Sequence, residues 1–283
     1  MPSTVLPAEQ DAGQEHLIEP ARGWVPIRPA ELWAYRELLY LLVWRSVKVR
    51  YKQTALGVAW AVIQPLATTV VFTVVFDRIA AVPVQGPYPL FALAALLPWQ
   101  LFAFALSEST NSVVQNQALV TKVYFPRLIM PLASVAVGLV DFSVALLLAA
   151  GLMIYYGVTP SLALVTLPFW TLLAVAVAFS VGVWLSALNV RYRDVRHTLP
   201  FVTQILLLAT PVAYPLSAVD PAWQWLYLLN PMAGVVTGFR WALVGATPMS
   251  VPALASTLAV TTVVGLSGLL YFKRTERTFA DLV

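Results

Sequence analysis

Uncharged apolar runs of helix length alternate along the chain with short clusters of charge, and the runs define its elements. The stretch GVAWAVIQPLATTVVFTVVF, ending before Asp77, is the first. At about 1.5 Å rise per residue it reaches across roughly 30 Å of hydrocarbon, so it predicts a membrane-spanning helix. LFALAALLPWQLFAFAL, ending before Ser107 and Glu108, predicts a second span, kinked at Pro98. A third runs from Leu128 to about Ile154 and a fourth from Leu167 to Leu188, with Gly157, Pro160 and Pro168 punctuating the ground between them. LPFVTQILLLATPVAYPL makes a short fifth span, broken at its far end by Pro211 and Pro215, and the sixth covers Ala253 to Phe272. The predicted fold class is an all-α polytopic membrane protein with six transmembrane helices.

Three intervening segments have structure of their own. Residues 31–52 place Leu32, Tyr35, Leu38, Leu39, Leu42 and Val43 at helical spacing with Arg36, Arg45, Lys48 and Arg50 among them. This predicts an amphipathic interfacial helix, with Trp33, Tyr35, Tyr40, Trp44 and Tyr51 at headgroup depth and Arg45, Lys48, Arg50 and Lys52 reaching lipid phosphates. The alternative is that residues 36–50 begin a long tilted first span. Residues 108–127 are too polar to cross and predict a loop with a short helix around Val113 to Val120, ending before a rigid YFPR. Residues 216–250 are apolar but split by Asn230, Pro231, Gly234, Gly238 and Arg240, which predicts short re-entrant or interfacial helices before the last span. Residues 1–30 have acids and prolines and lack the basic start and apolar core of a signal peptide, so they are expected to form a flexible cytoplasmic tail, the alternative being a short strap along the bilayer or docking a partner. The six-span body is then 53–283.

Composition agrees with this pattern. The 283 residues are 60% hydrophobic and 11% charged, against about 25% charged in soluble globular chains, which leaves too little polar surface to coat a globule. The net charge of +4 raises nucleic acid as a partner, but position argues otherwise. Six spans put both termini on one side, and that side then receives every one of the 17 Lys and Arg except Arg78 and Arg240. By the positive-inside rule this side is cytoplasmic. Splitting 216–250 into two crossings leaves the parity unchanged, so charge alone does not separate six spans from eight.

Candidate chemistry is sparse. There is no cysteine, and His16 and His197 lie too far apart to form a metal motif. No GxxxxGK[ST] phosphate loop occurs. Most acids near the spans fall at their borders, which disfavours an enzyme and leaves no cofactor or metal to assign. Asp141 is the exception, being mid-span; it must face protein or water. It is either part of a path or gate, or a carboxyl group bonded to Ser143, a Thr or a Tyr of another helix. Flat aromatic faces beside amides suit a sugar chain, so Trp60, Phe72, Trp99, Phe104, Gln64, Gln100 and Gln204 are candidate channel-lining residues. In the polar loop, Asn111, Asn116 and Gln117 can cap or meet a partner, while Val113, Val114, Ala118 and Leu119 supply an anchor.

Four blocks in order now define a likeness: LVWRSVKVRYKQTALGVAWAVIQPL, LLPWQLFAFALSESTNSVVQNQALVTKVYFPRLIMPL, LNVRYRDVRHTLPFVTQILLLATPVAYPL and LLNPMAGVVTGFRWALVG. Over about residues 31–275 the sequence resembles the transmembrane permease subunit of type-2 ABC exporters, in the branch that moves O-antigen, capsular polysaccharide or teichoic acid. The resemblance implies a homodimer, so a second copy of this chain, bound to two nucleotide-binding ATPase subunits, with a lipid-linked polysaccharide as substrate. It implies ATPase coupling through Asn111, Asn116, Gln117, Lys122, Tyr124, Phe125, Pro126 and Arg127, with Arg191, Arg193, Asp194 and Arg196 as a second contact with the ATPase or with lipid phosphates. An exporter of drugs or small lipids, or a scaffold or processing enzyme that needs no ATPase, are the competing readings.

Overall fold

The computed structural model describes residues 29–52 and 57–279. The expected tail, apart from its last two residues, lies outside the described residues. Among those described there is no strand; eleven α-helices and short 3-10 and π turns carry the chain. Five of the helical segments are long and apolar enough to cross a membrane, and a sixth apolar helix is shorter.

The chain enters through α1 (Pro29–Ala34) and α2 (Arg36–Lys52), separated by a turn at Tyr35. A face of this pair, including Leu32, Tyr35, Leu38, Leu39 and Leu42, packs on the bundle, while Trp33, Tyr40 and Trp44 stay exposed. The predicted 3.6-residue stripe is therefore a packing face against protein. Helix α3 (Trp60–Phe72) continues as a π-helical turn to Ile79, and together they form the first span.

Helix α4 (Tyr88–Gln115) is the centre of the fold. Every residue from Leu90 to Trp99 is buried, as expected of a helix that is apolar all round. It continues through Pro98 and then through the polar run to Gln115. The short helix predicted at 113–120 is thereby displaced: its first half belongs to α4, and the separate helix, α5, is Gln117–Lys122. The physical reason is burial of small polar residues. Ser109, Thr110 and Ser112 are buried, and their hydroxyls bond to backbone carbonyls, so the polar run pays no desolvation penalty by staying helical.

Helices α6 (Ile129–Tyr155) and α7 (Leu167–Arg191) match the third and fourth spans within a few residues, and α11 (Val251–Thr275) matches the sixth. The fifth predicted span is the short one. Helix α8 (Val195–Ala209) starts four residues earlier than predicted and stops before Pro211; its 15 residues extend about 22 Å at 1.5 Å each, less than the hydrocarbon thickness. The segment after it folds into α9 (Pro221–Leu228) and α10 (Pro231–Val244). Their starts are written locally: Asp220 and Asn230 accept the N–H of Ala222 and Met232, and each is followed by Pro at the first helical position. Gly245, at φ 70°, ends α10 in the left-handed cap conformation.

Between helices in lipid there is little hydrophobic driving force, so close packing and polar satisfaction must hold the bundle. Gly238 of α10 shows how tight that packing is: a Cβ there would lie 2.2 Å from the Trp170 ring of α7.

Candidate functional site

Asp141, midway along α6, meets the last turn of α2. Its carboxylate lies 2.7 Å from the Arg50 guanidinium and accepts the hydroxyl hydrogen of Tyr51. Arg50 also stacks 4.3 Å from the centre of the Phe104 ring on α4. Of the two readings of Asp141, the bonded one fits this geometry, with a tyrosine from the interfacial helix as partner; Ser143 instead donates to the Leu139 carbonyl of its own helix.

These groups stand at a cavity of about 560 Å³ between α2, α3, α4 and α6. Five of the seven candidate channel residues line it: Trp60 and Gln64 from α3, and Trp99, Gln100 and Phe104 from α4. Arg50, Tyr51, Thr68 and Asp141 add polar groups. Apolar rings with hydroxyls, amides and one ion pair can hold a molecule with both C–H faces and hydroxyl groups. The other two candidates lie elsewhere. Phe72 packs edge-on against Phe76, 5.5 Å between ring centres, and Gln204 is exposed on α8.

A second group of residues gathers where α4, α7 and α11 end. Val113, Val120, Phe125, Val190, Phe272 and Phe279 form one buried cluster there, against which α1 and α2 pack. Val120 and Phe125 root the segment around α5 in this cluster, while Gln117, Lys122 and Tyr124, the last 84% exposed, face outward. Pro126 is buried behind them. Asn111 and Asn116 do not face outward as free amides: each donates to a carbonyl four residues earlier, Ser107 and Ser112. The buried Asn189 of α7 donates to Thr110 O at 2.9 Å, tying α7 to the end of α4. Just beyond it Arg191, Arg193, Asp194 and Arg196 are exposed at the α7–α8 junction, Arg191 lying over the Tyr192 ring and Arg196 beside His197. On α2, Arg45, Lys48, Arg50 and Lys52 are also exposed, Lys48 over Trp44 at 5.1 Å. Arg127 turns inward, toward Glu276 and Phe279.

Toward the other end of the bundle, the structure brings out a residue that sequence reasoning assigned no role. Arg240 of α10 is 4% exposed. Its guanidinium donates to the carbonyls of Pro211, Val212 and Tyr214 at 2.6, 2.5 and 3.0 Å and to Phe91 O at 3.4 Å, and it lies 3.6 Å over the Phe91 ring. Tyr88 donates to Ala213 O at 2.7 Å, and Tyr214 to Leu208 O at 2.9 Å. The unwound backbone after α8 is thus satisfied by side chains from α4 and α10, which is what permits irregular backbone away from water. Burial pushes the Arg240 guanidinium below its ordinary value, while the neighbouring Tyr88 and Tyr214 phenols oppose the shift. The available signal was a lone Arg in an apolar Gly/Pro-split segment.

The described residues thus form an all-helical bundle with a cavity beside α2 and an exposed, rooted α5. Residues 37–244 match the ABC-2 type transporter family, and the chain belongs to it. It is 28% identical over 250 residues to "O-antigen export system permease protein RfbA" of Klebsiella pneumoniae, covering 87% of this chain and 95% of the relative. It is 31% identical over 212 residues to the protein of the same name from Myxococcus xanthus, covering 74% and 81%. "Polysialic acid transport protein KpsM" of Escherichia coli is 26% identical over 253 residues, covering 85% and 93%.

Proposed function

We propose that this chain is the permease subunit of an ATP-driven exporter that moves a lipid-linked polysaccharide, O-antigen first among the candidates, across the bacterial cytoplasmic membrane. The observation that carries the proposal is the pairing of an outward-facing α5 and Tyr124 with an apolar root shared by α2, α7 and α11. A push on that helix reaches several membrane helices through one packed cluster. ATP hydrolysis belongs to a separate nucleotide-binding subunit, two per assembly, which docks on Gln117, Lys122 and Tyr124 and on the exposed basic residues from Arg191 to Arg196. This chain does no covalent chemistry.

Both termini lie in the cytoplasm. Among the described basic residues, Lys122, Arg127, Arg191 and Lys273 flank members of the one buried cluster where α4, α7 and α11 end, which supports a cytoplasmic reading of that end by the positive-inside rule. There Arg45, Lys48 and Lys52 hold lipid headgroups. Two copies pair, and the polymer passes between them beside the Trp60 cavity. The relatives named for O-antigen export and polysialic acid transport support a glycan cargo; capsular polysaccharide and teichoic acid are the alternative glycans.

Co-purification tests the proposal. The chain should capture a nucleotide-binding subunit from its own genome, and extracted lipid-linked glycan should stimulate hydrolysis by the complex in a bilayer. A chain that captures no ATPase contradicts it.

A further inference from the structure

We infer that Glu276, just past the end of α11, is a positioning residue that couples the α5 loop to the last span and to the interfacial helix. The inference rests on the transporter reading above.

Along the chain the α5 segment is joined only to α4 and α6, and Val120 and Phe125 root it by apolar contact in the cluster shared with α2, α7 and α11. The structure adds a polar connection. Glu276 Oε1 accepts the backbone N–H of Arg127 at 3.0 Å, and its Oε2 lies 2.8 Å from Lys273 Nζ. The Arg127 guanidinium returns a bond to the Glu276 carbonyl and lies 5.9 Å from the Phe279 ring centre. One carboxylate therefore holds the loop's backbone with one oxygen and α11 with the other.

The environment makes this a stiff joint. The Lys273 and Glu276 side chains are only 14% and 17% exposed, so their attraction is screened far less than that of a surface pair. Phe279 folds back edge-on against Phe272 at 5.2 Å, and both are buried in the cluster that holds Val120 and Phe125. Because Leu38 and Leu42 of α2 pack on that same cluster, displacement of the loop moves α11 and α2 together. No cavity residue is involved, so Glu276 acts on the cargo path only through the helices it joins.

The test compares Glu276→Ala and Glu276→Gln with wild type. In the purified chain, in lipid nanodiscs, Glu276→Ala should speed amide exchange across 123–129 at least tenfold, with α4 and α7 unchanged. Glu276→Gln keeps an oxygen for the Arg127 N–H and should fall between. In cells, Glu276→Ala should assemble with the nucleotide-binding subunit in full yield and hydrolyse ATP within about twofold of wild type, yet deliver at least tenfold less polysaccharide to the surface. Unchanged exchange overturns the joint, and unchanged export per ATP overturns its coupling role. Export lost only in proportion to lost complex also overturns it, since that is a folding effect. Failure of the wild-type chain to bind any nucleotide-binding subunit is a separate result, seen before any variant is compared, and strikes the transporter reading itself.

Discussion

The carboxylate of Asp141 holds Arg50 at 2.7 Å and takes the phenol hydrogen of Tyr51. The last turn of α2 is thereby fastened to the middle of α6, at the mouth of the cavity that Trp60 and Gln64 line. Tyr51 of α2 and Asp141 of α6, 90 residues apart in sequence, share one polar joint.

Asp141→Asn removes the charge and keeps the shape. The amide oxygen can still accept the Tyr51 hydroxyl hydrogen, so the loss of stability should be modest. The effect should instead fall on motion and passage: faster amide exchange at residues 46–52 and several-fold lower glycan export, with the melting temperature nearly unchanged. Exchange measured in nanodiscs, beside a thermal melt, checks both halves.

Arg240→Met should behave in the opposite way. It leaves several buried carbonyls without donors at roughly 1–3 kcal/mol each, so the protein should lose more than about 3 kcal/mol. Arg240→Lys restores the charge but not the fork that reaches Pro211, Val212 and Tyr214 at once, and should recover only part of the loss. Detergent-solubilised thermal unfolding reads the series.

Gly238→Ala places a methyl group into the Trp170 ring, and overpacking of this kind costs about 1–3 kcal/mol. If contact with the ring is the cause, Gly238→Ala combined with Trp170→Ala should be no less stable than Trp170→Ala alone. A double-mutant cycle of unfolding midpoints decides this.

The two cavity tryptophans should separate. Trp60 is 52% exposed and Trp99 only 5%. Trp60→Ala should leave folding intact and lower export at least fivefold, whereas Trp99→Ala should destabilise the chain by about 3–5 kcal/mol. Expression and melting, set beside export, test the split.

Lys122→Glu, alone or with Tyr124→Ala, changes side chains that face outward. Stability should stay within about 0.5 kcal/mol, while capture of the nucleotide-binding subunit in a pull-down should fall at least tenfold. Arg127→Glu is a different experiment, because Arg127 is bonded to Glu276.

Much of the fold was legible because its code is local. Absence of charge over a helix length marked α3, α4, α6, α7 and α11, and the apolar stretch split by Asn230, Pro231, Gly234, Gly238 and Arg240 marked short helices before the last span, though not where they start. The polar stretch from Ser107 to Gln115 misled, since tertiary burial of Ser109, Thr110 and Ser112 keeps it inside α4. Trp60, Gln64, Trp99, Gln100 and Phe104 were chosen by residue type and share one cavity; Phe72 and Gln204 were chosen by the same rule and point elsewhere. The contacts of Glu276 with Arg127 and of Arg240 with Phe91 each bridge 149 positions. Pairings at that separation leave no periodic trace in the chain, and only the folded geometry brings them together.

The most direct measurement is the fate of the lipid-linked glycan in the source bacterium when this chain is deleted and then restored. Export by this permease predicts that the completed glycan accumulates on the cytoplasmic face of the inner membrane and disappears from the cell surface, with recovery on complementation by the wild-type chain. Surface glycan at wild-type level in the deletion strain, with no accumulation inside, would contradict the account.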